Sequence, residues 1–410
     1  MLHTNRFLGG MLLVAGTTIG GGMLVIPVMC SFTGFFPSLL LLLFVWAFMF
    51  LTSVLFLEVN LTISGDINMV TMAEVTLGKK GKAVAWIAYL LLLYSLLAAY
   101  IAGSKELFVD AVHLVLPNVA VPDWISPLPL LALFGVFIYL GTRTTDYVNR
   151  LLMLGLIVTF VCLAFFLPSH IDTNLLTHVH FSAILLAVPL VFTSFGFHII
   201  IPSLVNYLHR DRKKLILILL YGSLIPLFIY VLWQFLILGS VPLYGEIGLV
   251  QAWVDGSSSF SPLLKLVNRP FVATASRLFA TFALITSFLG VSLSLVSFLR
   301  DALHVKRTSS GRLILCLLTF IPPLLFVYFY QRGFVLALQY AAIFVMILLA
   351  IMPALMTWTL KKKFFWTTGL GKCVLSFVIL VAIAVIATAL LQEMGFLHRL
   401  VVSYLPIDHV

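Results

Sequence analysis

Apolar runs of about 20 residues, each long enough to cross a bilayer as a helix, follow one another along this chain with short polar connections between them. They fall at roughly 7–30, 35–59, 83–104, 127–141, 150–168, 181–206, 215–239, 271–299, 312–330, 334–358 and 371–392. The pattern predicts an all-α integral membrane protein of eleven transmembrane helices, the fourth of them short. Two connections exceed simple turns. Residues 61–82, from Ser64-Gly65-Asp66 onward, and 240–270, around Gly256-Ser257-Ser258-Ser259 and Pro262, are expected to carry short surface helices, the second over the outer face.

Two of the runs are interrupted. Gly16-Thr17-Thr18-Ile19-Gly20-Gly21-Gly22 sits in the middle of the first, where each glycine costs a helix about 1 kcal/mol relative to alanine. A broken helix at mid-membrane depth leaves N–H and C=O groups that are tolerated only against protein, water or a ligand. Close helix packing by small residues is the plainer explanation. A second stretch favours a site. Thr18-x-x-Gly21-x5-Pro27 recurs as Thr193-x-x-Gly196-x5-Pro202, with Leu24-Val25-Ile26 matching Ile199-Ile200-Ile201. Paired Gly/Pro interruptions in corresponding positions of two halves point to a secondary-transporter site.

Charge supports this topology. Arg6, Lys79, Lys80, Lys82, Arg143, Arg150, Arg210, Arg212, Lys213, Lys214, Arg300, Lys306, Arg307, Arg312, Lys361, Lys362, Lys363 and Lys372 fall on one side of the eleven spans. Lys105, Lys265, Arg269, Arg277, Arg332 and Arg399 fall on the other, an 18 to 6 division of the 24 basic residues. By the positive-inside rule the N-terminus is cytoplasmic and the C-terminus periplasmic. Helices 1–5 and 6–10 then cross in opposite senses, as a 5+5 inverted repeat requires. The first repeat covers about 6–168 and the second about 181–360, with an extra helix at about 371–392.

Composition narrows the class further. The chain is 62% hydrophobic and 9% charged, with a mean hydropathy of +1.17, whereas soluble domains are about a quarter charged. It reads as one membrane domain, 1–410. The net charge of +10 lies between spans, serving topology and not nucleic acid. The first 15 residues mimic a signal peptide, but the run continues through Pro27 with no cleavage pattern. Cys30, Cys162, Cys316 and Cys373 stand singly. No cofactor or metal motif is evident, and His178-x-His180 lacks further ligands.

The breaks carry the candidate chemistry. The outer half of helix 1 begins near Gly20, Gly21 and Gly22, and its positive end suits a carboxylate. The inner half ends near Ala15, Gly16 and Thr17, and the outer half of helix 6 ends near Phe192 and Thr193; these carbonyl ends suit an ammonium or a small cation. A zwitterionic amino acid fits both poles. Phe192, Phe195 and Phe197, around Ser194 and Gly196, offer an aromatic wall for an apolar or aromatic side chain. His198 is the titratable group at the breaks and a candidate proton relay, or else a neutral histidine bonded to a helix. Thr286 and Ser287 lie mid-helix in span 8, facing the first break or bonding back to their own turn. Glu58, Lys105, Glu106 and Arg277 lie near span ends, in structural roles. A membrane-embedded enzyme would need paired acids or a nucleophile with its base, and only His198 is available at mid-depth.

Several blocks resemble the bacterial aromatic amino acid permease family. They are Gly16-Thr17-Thr18-Ile19-Gly20-Gly21-Gly22-Met23-Leu24, Phe192-Thr193-Ser194-Phe195-Gly196-Phe197-His198, Thr286-Ser287-Phe288-Leu289-Gly290-Val291, and Phe320-Ile321-Pro322-Pro323 with Arg332-Gly333-Phe334-Val335. The likeness covers nearly the whole chain. It implies a LeuT-like fold of the amino acid/polyamine/organocation (APC) superfamily, with proton-coupled uptake of an aromatic amino acid across the inner membrane, tyrosine favoured. Tryptophan or serine as substrate and sodium as coupling ion are the alternatives. Gly21 stands where an alanine is expected, and Ile199-Ile200 replace smaller residues; both bear on side-chain preference, not on the fold.

Overall fold

The computed structural model describes residues 6–396 apart from 64, 66, 117, 267–269, 307, 331–332, 361–365 and 367, with the backbone alone for 142, 143, 265 and 266. Among the described residues every regular element is helical. The lysine cluster 361–363, Arg269, Arg307, Arg332, Arg399 and the C-terminal end lie outside them.

The first expected span is broken. Helix α1 (Arg6–Thr18) stops, Ile19 and Gly20 are extended or bent, a single 3-10 turn covers Gly21–Leu24, and α2 covers Ile26–Cys30. The sixth is broken in the same way. Helix α7 (Ile184–Ser194) ends, a 3-10 turn spans His198–Ile200, and α8 (Ile201–Tyr207) follows. Both second halves open with proline in their first turn, Pro27 and Pro202, where its missing N–H leaves no bond unmade. The two breaks therefore share the register of the sequence repeat.

The other spans are α3 (Phe35–Thr62), α4 (Met69–Val115), α5 (Leu128–Leu140), α6 (Thr142–Phe166) and α9 (Arg212–Ser240). After the short helices α10 (Leu249–Asp255) and α11 (Phe260–Leu266) come α12 (Pro270–Leu303) and α13 (Ser309–Phe329). Helices α14 (Gly333–Met346) and α15 (Met352–Thr359) are joined by a π-helical segment at Ile347–Ile351, and α16 (Gly369–Glu393) closes the described chain. Among the described residues nine spans are individually long and apolar enough to cross a membrane. The broken first span and the 13-residue α5 stand at the other two expected positions, and neither is a single helix long enough to be counted with the nine. Alone, α5 would reach only about 20 Å, less than the roughly 30 Å hydrocarbon thickness of a bilayer.

Helix α4 is much longer than the expected 83–104. Gly78, at φ 73°, divides it, in a backbone conformation natural to glycine. Residues 69–77 before that break are the expected surface helix, capped by the Asn68 side chain accepting from Thr71 N–H at 2.9 Å. Beyond 104 the helix continues through Glu106 and Asp110, and Asp110 pairs with Arg277 at 2.6 Å. The polar C-terminal end of α4 masked these turns in the hydropathy pattern.

Helix α9 packs on α1 and α3, α4 on α12, α13 and α14, and α7 on α3, α14 and α16. The α7–α8 and α14–α15 spans are the most enclosed, while α6, α13 and α16 leave most of their surface outward, toward lipid in a membrane. At the cytoplasmic side of the expected topology the buried Glu58 carboxylate pairs with Arg212. Arg210 donates to the Asn60, Leu61 and Ile63 carbonyls at the end of α3. Arg6 lies over the Tyr207 ring, 5.8 Å from its centroid. On the other side Ser259 donates its N–H (2.9 Å) and hydroxyl (2.6 Å) to the Leu24 carbonyl, so the α10–α11 connection sits over the second half of the first span.

Candidate functional site

The two breaks face each other. A Cβ built on Gly22 would stand 2.8 Å from Ser194 Oγ; on Gly20, 2.5 Å from Ser287 Oγ; and on Gly21, 2.9 Å from the Tyr100 ring. None of the three glycines has a left-handed backbone, and Gly20 is extended. What requires glycine here is space. The small-residue packing reading and the broken-helix reading thus hold at the same residues.

The hydrogen bonds define two poles. At the end of α1 the Ala15 carbonyl accepts the last helical bond, from Ile19 N–H at 2.9 Å, so it is not among the open carbonyls expected there. The Gly16 and Thr17 carbonyls have no backbone donor among the described residues. The Thr17 and Thr18 hydroxyls bond back to Leu13 and Val14 carbonyls at 2.7 and 2.8 Å. Beyond the break Gly21 N–H donates to Ser287 Oγ at 2.9 Å, while the Gly20 and Gly22 N–H groups find no backbone acceptor among the described residues. An amide end and a carbonyl end are thus three to six residues apart along the chain.

Span 8 contributes one hydroxyl of the expected two. Ser287 reaches the first break, donating meanwhile to the Ala283 carbonyl at 2.8 Å. Thr286 bonds back to Phe282 and Ala283. At the second break Ser194 Oγ donates to Leu190 O at 3.0 Å. Thr193 Oγ donates to Pro189 O at 3.0 Å and reaches Leu338 O at 3.3 Å. Gly196 leaves room toward Leu349 in the π-helical segment, 3.5 Å from a built Cβ.

The aromatic wall divides. Phe195 lies edge-on to Tyr230, with ring centroids 5.2 Å apart. Phe192 instead turns to α3, edge-on to Phe48 at 5.3 Å, and Phe197 packs on His198 at 5.1 Å. His198 is fully buried, and its Nε2 meets Thr52 Oγ of α3 at 2.9 Å. Its Nδ1 has no partner among the described residues. The histidine therefore looks into the interface with α3 and not into the gap between the breaks. In the connection between α6 and α7 His178 is engaged by the Leu175 and Ser31 carbonyls at 3.0 and 2.7 Å, and no metal-holding cluster is found among the described residues.

Three residues that matter here were not singled out by the sequence: Tyr100, Thr52 and Tyr230. Tyr230, midway along α9, is buried, and its hydroxyl lies within hydrogen-bonding distance of both the Thr18 carbonyl (2.7 Å) and the Ser194 carbonyl (3.0 Å). Its only sequence signal is a hydroxyl placed mid-span in an apolar run.

Two discontinuous helices with their half-helix ends gathered in one place, inside an all-α membrane bundle, define a secondary transporter. The fold is LeuT-like. A manganese transporter of Eremococcus coleocola superposes with a TM-score of 0.63 at 14% identity, over 95% of this chain and 88% of that one. MhsT, solved with L-phenylalanine, superposes with a TM-score of 0.59 at 12% identity, over 94% of this chain and 98% of that one. The chain belongs to the tryptophan/tyrosine permease family, which matches residues 3–389. "Tyrosine-specific transport system 1" of Haemophilus influenzae is 37% identical over 361 residues, 87% of this chain and 89% of that protein. The protein is a multi-pass membrane transporter and not an enzyme.

Proposed function

We propose that the protein carries an aromatic amino acid, tyrosine favoured, into the cell across the inner membrane by proton symport with alternating access. One observation carries this reading. The N–H end at Gly20 and Gly22 and the carbonyl end at Gly16 and Thr17 lie at a single break, directly against the second break. An α-amino acid presents the matching carboxylate and ammonium. Thr18, Gly21, Phe192, Thr193, Ser194, Phe195, Gly196 and Phe197 complete the site in this reading, with the Phe195 ring against Tyr230. Relatives named for tyrosine transport support the substrate, as does a solved neighbour that holds L-phenylalanine.

Repeat one (about 6–168) and repeat two (about 181–360) rock against each other around this site, with α16 outside the pair and lipid around the whole. The N-terminus is cytoplasmic and the C-terminus periplasmic. His198 carries the coupling proton, with Ala15, Thr286 and Ser287 around the alternative cation position. Transport of tryptophan or serine, with sodium in place of the proton, is the second reading, favoured by the tryptophan in the family's own name. Counterflow in proteoliposomes separates them. Labelled tyrosine should exchange against internal tyrosine and be blocked by external tryptophan far better than by serine. Exchange blocked equally by serine would remove the aromatic preference.

A further inference from the structure

A phenol has one proton to donate, yet Tyr230 stands within bonding distance of two carbonyls, Thr18 O at 2.7 Å and Ser194 O at 3.0 Å. These are the last residues of α1 and α7, so each oxygen lacks an intrahelical donor and carries the negative end of its half-helix dipole. The place is short of one donor. It is also fixed: Tyr230 is buried, its ring is held edge-on by Phe195, and α9 lies so close to α1 that a Cβ on Gly222 would stand 2.8 Å from Val14 Cβ.

We infer that Tyr230 is the positioning residue for the substrate's ammonium group. This rests on the reading of the protein as an amino acid transporter. The ammonium brings three donors to a point that lacks one. One N–H goes to the carbonyl the phenol does not serve, and a second goes to the phenol oxygen, while the phenol proton stays on the other carbonyl. Filling this point satisfies the ends of both half-helices together, so binding registers the two breaks against each other. A ligand without an ammonium leaves the deficit in place.

The test uses the purified full chain, with Tyr230→Phe keeping the ring that packs on Phe195. Three ligands are compared by thermal stabilisation and by competition with labelled tyrosine: tyrosine, tyramine (no carboxylate) and 3-(4-hydroxyphenyl)propionate (no ammonium). Losing a hydrogen bond from a charged donor should weaken tyrosine and tyramine about tenfold or more in the variant. The ammonium-free acid should stay within about twofold of wild type. Equal weakening of all three would mean a structural role, and unchanged or tighter tyramine binding would equally overturn the inference. If the wild-type protein binds none of the three, the functional reading itself fails.

Discussion

Gly22→Ala is the smallest change that probes how closely the two breaks meet. The added methyl would stand 2.8 Å from Ser194 Oγ, 3.6 Å from Ser194 Cβ and 3.9 Å from its Cα. Carbon contacts are comfortable from about 3.5 Å, so either the turn at Gly21–Leu24 and α7 part by about 0.7 Å or the hydroxyl turns away. Turning breaks the Ser194 bond to Leu190 O, worth about 1 kcal/mol; parting a packed interface costs about 1–3 kcal/mol. The cheaper escape sets the lower bound. Population of the packed arrangement should fall about fivefold or more, and initial uptake in proteoliposomes should fall with it. Gly22→Leu, which has no such escape, should abolish uptake while the protein still inserts. The clash is with one oxygen, so Ser194→Ala in the same molecule should relieve it: the nearest atom then stands at the ordinary 3.6 Å. Comparing Gly22→Ala, Ser194→Ala and the pair isolates the coupling, expected at about 1 kcal/mol of recovery. Wild-type uptake in Gly22→Ala, or a double variant no better than the single, would refute the close meeting of the breaks.

Three further outcomes are expected. His198→Gln should lose accumulation driven by a pH gradient yet keep exchange of labelled for unlabelled substrate, which moves no net proton; accumulation surviving in that variant would exclude the histidine as proton carrier. Arg212→Ala leaves the Glu58 carboxylate buried without its cation and should lower stability by about 1–3 kcal/mol, more than Glu58→Gln does, as read from thermal melts of the purified protein. A cysteine in 361–363 should react with membrane-impermeant reagent only from the cytoplasmic side, and one placed at each end of α5 should react from opposite sides; labelling from the wrong face would change the span count.

Both breaks were legible because glycine, threonine and proline are costly in a membrane helix and recur at one spacing. The fold followed from the apolar runs and the basic connections. Direction was not legible. Neighbouring helix positions point about 100° apart, so the sequence could not tell Ser287, which meets Gly21, from Thr286, which bonds back. The same ambiguity hid that His198 and Phe192 turn to α3 while Phe195 packs on Tyr230. Tyr230 escaped for a different reason: a tyrosine in an apolar run is ordinary, and its importance comes from two carbonyls far away in the chain.

The central claim is coupled transport of an aromatic amino acid through the paired breaks. It is tested most directly by loading proteoliposomes with the purified protein and imposing an inward proton gradient at fixed sodium, then an inward sodium gradient at fixed pH. Labelled tyrosine should accumulate above its external concentration under the proton gradient alone, and collapse of that gradient should release it. Accumulation that follows sodium instead, or no saturable tyrosine uptake under either gradient, would contradict the account.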